Sequence, residues 1–383
     1  MKTFIDFLPL LAALTFGSAH ADTFNSGALY FETTSDTEVA VAPVPAGKAP
    51  YEGVVIIPEQ VFYNGVNYTV SAIADSAFYQ SQVTGVQVPN TVTAIGVSAF
   101  AYVETLANIT LPLHLNSVSQ TMLAGTTVTN VAVPEGVKTV GVGAFQSCAQ
   151  LHTVLLPSTL SLIDAYGFNN CHNLFEMYCA APTPPKASGW AIFIGLSNID
   201  VIVPDEEAVT AYQANTVWGD SATFNFFPDE PISITMTNEL DSYDAHYMRL
   251  NLGNNLAYKI YANDELIALT AADYYYVPIT ARSVTYTIVP TTMMSDADPV
   301  DVTVAPSAVE NIEEDLVEPE PLIFARDGQL YIQGDNYGKM VRVFDMYGQL
   351  YYARPSTSGE VIELPRNRVY IVMVGNYVKK ILL

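Results

Sequence analysis

The sequence predicts a mainly β protein: a solenoid of about five coils, then a small β-sandwich, then a second β-domain at the C-terminus. Three observations point there. One apolar pattern returns every 22–23 residues between residues 83 and 168, and a fixed period in that range marks a stack of like units. Apolar segments of strand length, separated by turn residues, fill 229–304. An acidic run with two prolines at 310–321 then sets off a last group of strand-like segments.

Composition bounds the rest. A chain of 383 residues has room for two or three domains, and 50% hydrophobic residues can build a large core. The net charge of −24 sets the chain against nucleic acid and anionic lipid. Residues 323–383 hold eight Lys/Arg against five Asp/Glu, while the remainder holds seven against 34. An acidic body with a mildly basic end implies separate modules.

Residues 1–21 read as a signal peptide. Lys2 supplies a positive start, and 7–17 is apolar but shorter than the ~20 residues of a membrane span. Ala19-His20-Ala21 offers small residues for cleavage near Ala21. No cysteine follows to carry a lipid anchor, and no later apolar run is long enough to span a bilayer.

The solenoid is expected over 22–228. Its copies read Val83-x-x-Val86-x-Val88-Pro89, Leu106-x-x-Ile109-x-Leu111-Pro112, Val128-x-x-Val131-x-Val133-Pro134 and Leu151-x-x-Val154-x-Leu156-Pro157. Three close on Ala99-Phe100, Ala144-Phe145 and Gly167-Phe168, and one on Met122-Leu123. A partial copy precedes them (Val70, Ile73, Ala77-Phe78) and a looser one follows (Leu174, Met177, Val201-x-Val203-Pro204). Each copy supplies one short strand, and stacked strands lie about 4.8 Å apart with their apolar residues in a shared core. Proline ends each strand because it cannot donate to the ladder.

This pattern resembles the BspA-like (treponemal-type) leucine-rich repeats of bacterial surface proteins. Tyr51 to Pro58 with Gly65 to Val70 resembles that family's N-terminal hairpin, and Val201 to Trp218, with Tyr212, its closing segment. The resemblance implies a leucine-rich-repeat solenoid that adheres to host or bacterial proteins. It names no ligand.

Residues 229–306 are expected to form an antiparallel, immunoglobulin-like β-sandwich. Ile232–Thr237, Tyr247–Leu252, Tyr258–Ala262 and Ser283–Val289 would be strands, with turns at Gly253-Asn254-Asn255 and Asn263-Asp264. Residues 307–322 read as an acidic linker held open by self-repulsion. In 323–383, Gln329 to Ile332, Val341 to Gly348, Val369 to Val374 and the terminal Lys379 to Leu383 resemble the C-terminal domain by which Bacteroidetes proteins are sorted through type IX secretion. That resemblance implies delivery to the outer surface or the medium; without active sorting the chain would stay in the periplasm. Arg368 departs from the pattern, standing where a glycine commonly precedes the Val-Tyr-Ile run.

Candidate chemistry is sparse. His114, His152, His172 and His246 stand singly, without a second ligand at metal spacing. Cys148 and Cys171 share a repeat position and should stack in adjacent coils. Two reduced thiols fit parallel side chains better than a disulfide, which is the alternative. Cys179 falls at an inward position. No nucleophile–base arrangement is visible, so neither an enzyme nor a cofactor is expected. Asp296 to Asp301 and Asp205-Glu206-Glu207 lack calcium-loop spacing and read as solvated acidic segments.

The strand face is where a partner is expected. The outward residue of each strand is Gln87, Thr110, Ala132, Leu155, Tyr178 and Ile202 in turn. Two residues earlier come Gly85, Asn108, Asn130, Thr153, Glu176 and Asp200. This strip, small and neutral at first, is either plain solvated sheet or a docking surface. The candidate binding residues are Gln87, Thr110, Asn130, Thr153, Leu155, Glu176, Tyr178 and Ile202, with Tyr178, Leu155 and Ile202 as the anchor. A protein partner is expected. A glycan, for which Tyr274, Tyr275 and Tyr276 could give an aromatic platform, and a structural surface-layer role are the alternatives.

Overall fold

A repeat that places two apolar side chains on one face of each short strand can bury them only by stacking, and the computed structural model shows that stack. It describes residues 22–219, 223–232, 239–244, 246–252, 257–280, 282–305, 322–326, 329–333, 340–345, 350–355, 360–365, 369–374 and 377–382. The expected signal peptide (1–21), nearly all of the expected linker, the Ile232–Thr237 strand beyond Ile232, the turn at Gly253 and the departure at Arg368 lie outside the described residues. The chain divides into two compact units, Met1–Ser307 and Ala308–Leu383.

The solenoid makes about six turns over residues 72–228, one more than the sequence suggested, because the looser copies also close. One wall is parallel sheet: Glu52–Ile56, Gln82–Gln87 and Asn108–Thr110 form one ladder. Asn130–Ala132, Thr153–Leu156, Glu176–Cys179, Ile199–Val203 and Phe224–Pro228 form the next. The register pairs repeat-equivalent residues: Gly85 with Asn108, Thr153 with Glu176, Leu155 with Tyr178, Tyr178 with Ile202. Val86, Ile109, Val131, Val154, Met177 and Val201 are buried in the core behind them.

The opposite wall is built from the Ala-Phe positions. Phe78 stacks on Phe100 and Phe145 on Phe168, each pair 5.0 Å between ring centroids. Leu123 stands between the two pairs and keeps the core filled without a ring. The chain turns onto this wall at left-handed residues in repeat register: Ser76, Ser98, Thr121, Gly143 and Tyr166, all with φ between 51° and 63°.

Both ends are closed, as an open stack would expose core and strand edge. At the N-terminus the hairpin forms between Gln60–Tyr63 and Val66–Ile73; the 51–58 segment expected in it instead places Glu52–Ile56 beside Gln82–Gln87 in the parallel ladder. Three strands that the sequence reading did not single out, Thr23–Ser26, Leu29–Thr33 and Glu38–Val41, extend the hairpin. Tyr51 ties the two together: its hydroxyl donates to the Ala42 carbonyl at 2.8 Å and accepts from the Tyr30 N–H at 2.9 Å. At the far end helix Glu206–Gln213 is capped by Asp205, whose carboxylate accepts from the Ala208 N–H at 2.8 Å. Tyr212 and Trp218 are wholly buried, donating to the carbonyls of Ala181 and Pro185, each at 2.9 Å.

Seven further strands make a sandwich. Glu239–Ser242, Tyr247–Asn251 and Tyr274–Pro278 form one sheet; Glu265–Thr270, Ala257–Ala262, Val284–Thr291 and Val300–Val304 form the other. Leu250, Tyr258, Ile260, Val277, Tyr286 and Ile288 fill the space between them. In the usual immunoglobulin constant arrangement the fourth strand belongs to the sheet of the first, second and fifth. Here it pairs with the third strand instead, through a two-residue turn at Asn263-Asp264, both left-handed.

The second unit repeats that topology. Leu322–Arg326, Gln329–Gln333 and Glu360–Glu363 form one sheet, and Leu350–Pro355, Met340–Asp345, Val369–Val374 and Tyr377–Leu382 the other. Its core holds Ile323, Leu330, Ile332, Val341, Val343, Tyr370 and Val372. Tyr370, at the start of the sixth strand, donates to the Pro365 carbonyl at 2.9 Å, the tie across the corner that sandwiches of this class use.

Candidate functional site

Residues pointing away from the core of a solenoid strand should meet water. Those of the first coils do not. The first sandwich lies over them, within the same compact unit. Gln87 pairs with the backbone of Tyr276 in both directions: its amide donates to the Tyr276 carbonyl and accepts from the Tyr276 N–H, each at 2.9 Å. Asn90 donates to the Ile267 carbonyl at 2.8 Å. Asn108 accepts from the Asp273 N–H at 3.1 Å, and the hydroxyls of Thr110 and Thr270 lie 2.8 Å apart. Further along, Ala132 and Leu155 form an apolar cluster with Ala257, Leu269 and Ala271.

This corrects the expectation of an open strip. Gln87, Thr110 and Leu155 are engaged by the chain itself, and Asn130 and Thr153 are buried beside them. The strip is small and neutral because it is an internal interface: a side chain at Gly85 would collide with the Tyr274 hydroxyl. The glycan platform is also taken up. Tyr276 is buried against Gln87, Tyr274 lies over Gly85 under the Arg249 guanidinium, and Tyr275 packs on the sandwich core.

The cover thins at the last coils, where Tyr178 packs on the edge of that apolar cluster with Met293. Glu176, Tyr178 and Ile202 are only partly buried. Tyr178 and Ile202 border an open cleft of about 460 Å³, completed by Phe227, Pro228, Asp229, Glu230, Pro231, Ile232 and Thr292. Burial raises the Glu176 carboxyl above its ordinary range; hydrogen bonds from Tyr178 and Thr153 oppose this, and Asp200 adds to it. Burial, then the Glu176 and Asp229 charges, hold the Tyr178 hydroxyl firmly protonated. Among the described residues no cation pairs with Glu176, Asp200, Asp229 or Glu230; the ion pair within 4 Å is Lys259–Asp296.

The sequence reading did not single out Asn90 or the facing segment Ile267–Ala271, nor Phe227 and Asp229. For the facing segment a signal exists: Leu266 to Leu269 is continuously apolar, where a strand with one wet face would alternate.

Most of the other candidates are held in structural contacts. Cys148 and Cys171 are free thiols, donating to the carbonyls of Leu123 and Phe145 in the preceding coils at 3.0 and 2.9 Å. Burial pushes the Cys179 thiol up to about 11, against a bond to Tyr212, so it is a poor nucleophile. His152 packs edge-on to Phe175, and His172 bonds the Gly195 carbonyl at 3.1 Å. Asp205 caps its helix, Asp296 binds Lys259 and Asp301 accepts from Thr287 at 2.7 Å. Among the described residues no group of three His, Cys, Asp or Glu is placed to hold a metal ion, and no helix is long and apolar enough to cross a membrane.

Comparison with known proteins bears on the repeats. Residues 71–182 match the BspA type leucine rich repeat region in six copies. A leucine rich cell surface protein from Faecalibacterium prausnitzii is similar at 23% identity over 49% of this chain, with a TM-score of 0.36. A leucine-rich repeat protein from Bacteroides ovatus is similar at 21% over 48%, TM-score 0.34. The match spans 56% and 59% of those two chains. A leucine rich repeat protein of T. pallidum is similar at 23% over 46% of this chain and 91% of its own, TM-score 0.36. No curated protein matches.

Proposed function

We propose that this chain is an exported, non-enzymatic interaction protein that holds a protein partner at or outside the bacterial cell surface. The observation that carries this reading is the division of the strand face: the chain covers its own first coils and leaves Glu176, Tyr178 and Ile202 beside an open cleft. Concave solenoid faces suit binding, and a partly buried tyrosine beside apolar walls is a common anchor. The BspA-type repeats at 71–182 support a surface role. The signal-like residues 1–21 would start export, and the 323–383 domain would act as the sorting element. A polypeptide is better supported than a glycan, since Tyr274 and Tyr276 are committed to the interface.

The test reads compartment and both termini by mass spectrometry of the native protein from fractionated cells, together with adherence of cells carrying Tyr178→Ala with Ile202→Ser. A chain beginning at Asp22 in the outer membrane or medium, and reduced adherence in the variant, is the expected result. A cytosolic chain with Met1 intact, or unchanged adherence, would overturn the reading.

A further inference from the structure

The cleft beside Tyr178 combines two kinds of wall. Tyr178, Ile202 and Phe227 give aromatic and aliphatic surface, and Phe227 is 47% exposed. Asp229 and Glu230 stand on the same lining, and Glu176 is hydrogen-bonded to Tyr178. No basic residue neutralises these carboxylates among the described residues. The apolar and acidic parts lie on one lining, so the cleft is complementary to a ligand that is apolar along its length and positive at its end.

We infer that this cleft takes the cationic side chain of a partner polypeptide, arginine above lysine, its stem along Tyr178, Ile202 and Phe227 and its head group between Asp229 and Glu230. The inference rests on the interaction role proposed above and specifies its ligand. Long basic side chains match such a site because their methylene stems cover apolar surface while the head stays polar. A guanidinium also brings a planar fork of donors for carboxylates and stacks on aromatic faces. A metal ion fits less well, since no group of three ligands converges among the described residues. An anionic group would meet only like charge.

The intact chain would be titrated calorimetrically with a capped peptide bearing one arginine among neutral residues, and with the same peptide bearing citrulline, which keeps the shape and loses the charge. The arginine peptide is expected to bind, and citrulline to weaken binding by about tenfold or more. Asp229→Asn, nearly isosteric, should cost a similar factor, whereas Glu104→Gln, an exposed carboxylate on a distant coil, should cost nothing. Equal binding of both peptides, or indifference to Asp229→Asn, would overturn the inference. So would an equal loss with Glu104→Gln, which would mean diffuse attraction to an acidic surface. If neither peptide binds while Tyr178→Ala with Ile202→Ser still lowers adherence, the interaction role stands and the cation preference falls. If adherence is also unchanged, both fall.

Discussion

The two sandwiches share one strand order yet differ in what they do with it. In each, the first, second and fifth strands face a sheet made of the fourth, third, sixth and seventh. The first belongs to the solenoid's compact unit, while the second forms a unit of its own. The difference sits in the fourth strand. In Glu265–Thr270 the last three residues, Ala268, Leu269 and Thr270, are all buried, because one face lies on the sandwich core and the other on Thr110 and Leu155. In Leu350–Pro355, Tyr351 packs edge-on to Tyr370 while Arg354 is exposed. A strand with two apolar faces, together with Tyr274 and Tyr276 of the fifth strand, makes this module part of its neighbour.

That contrast can be broken most severely at Leu155. Leu155→Asp puts a charge where Leu269 and Ala271 now lie and should cost about 3 kcal/mol or more. Hydrogen exchange should rise across 265–278 while 329–374 keeps its protection; uniform loss in both would contradict the division. Next, Gln87→Ala removes both bonds to the buried Tyr276 backbone. The expected loss is about 1–3 kcal/mol, read as earlier melting by fluorescence, since the chain's two tryptophans, Trp190 and Trp218, both lie in the solenoid. Tyr370→Phe is the reciprocal test. It should cost about 0.5–1.5 kcal/mol, confined to the second sandwich and silent in tryptophan fluorescence.

The smallest effect concerns the rim of the covered face. Burial raises the Glu176 pKa, so this carboxyl contributes stability that is full below its unfolded pKa and lost as pH rises through the higher folded value. Glu176→Gln should therefore be more stable than the parent near neutrality and equal to it in acid. A gain that grows on acidification, in urea melts at matched ionic strength, would reverse the assignment.

The solenoid was legible because one apolar rule recurs from Val83 to Phe168, and repetition fixes register as well as fold. The pairing of Leu155 with Tyr178 and of Glu176 with Asp200 follows from that register alone. What covers Leu155 did not follow. A small neutral outer surface suits water and a docked domain equally well, and the contact between Thr110 and Thr270 joins residues 160 positions apart with no periodic signal. The three strands at 23–41 were missed for a related reason: they belong to a cap, which obeys the shape of the stack's end and not the repeat. The cleft at Asp229 depends on where the last solenoid strand meets the first sandwich, a matter of three-dimensional placement.

The contacts of the first sandwich at Gln87, Asn108, Thr110, Ala132 and Leu155 fall on successive coils. A bare stack holds together only between nearest neighbours, so its ends can fray coil by coil. A body fastened across several coils works as a splint. It couples the opening of one coil to its neighbours, so the coils it fastens should melt as a block and not one by one.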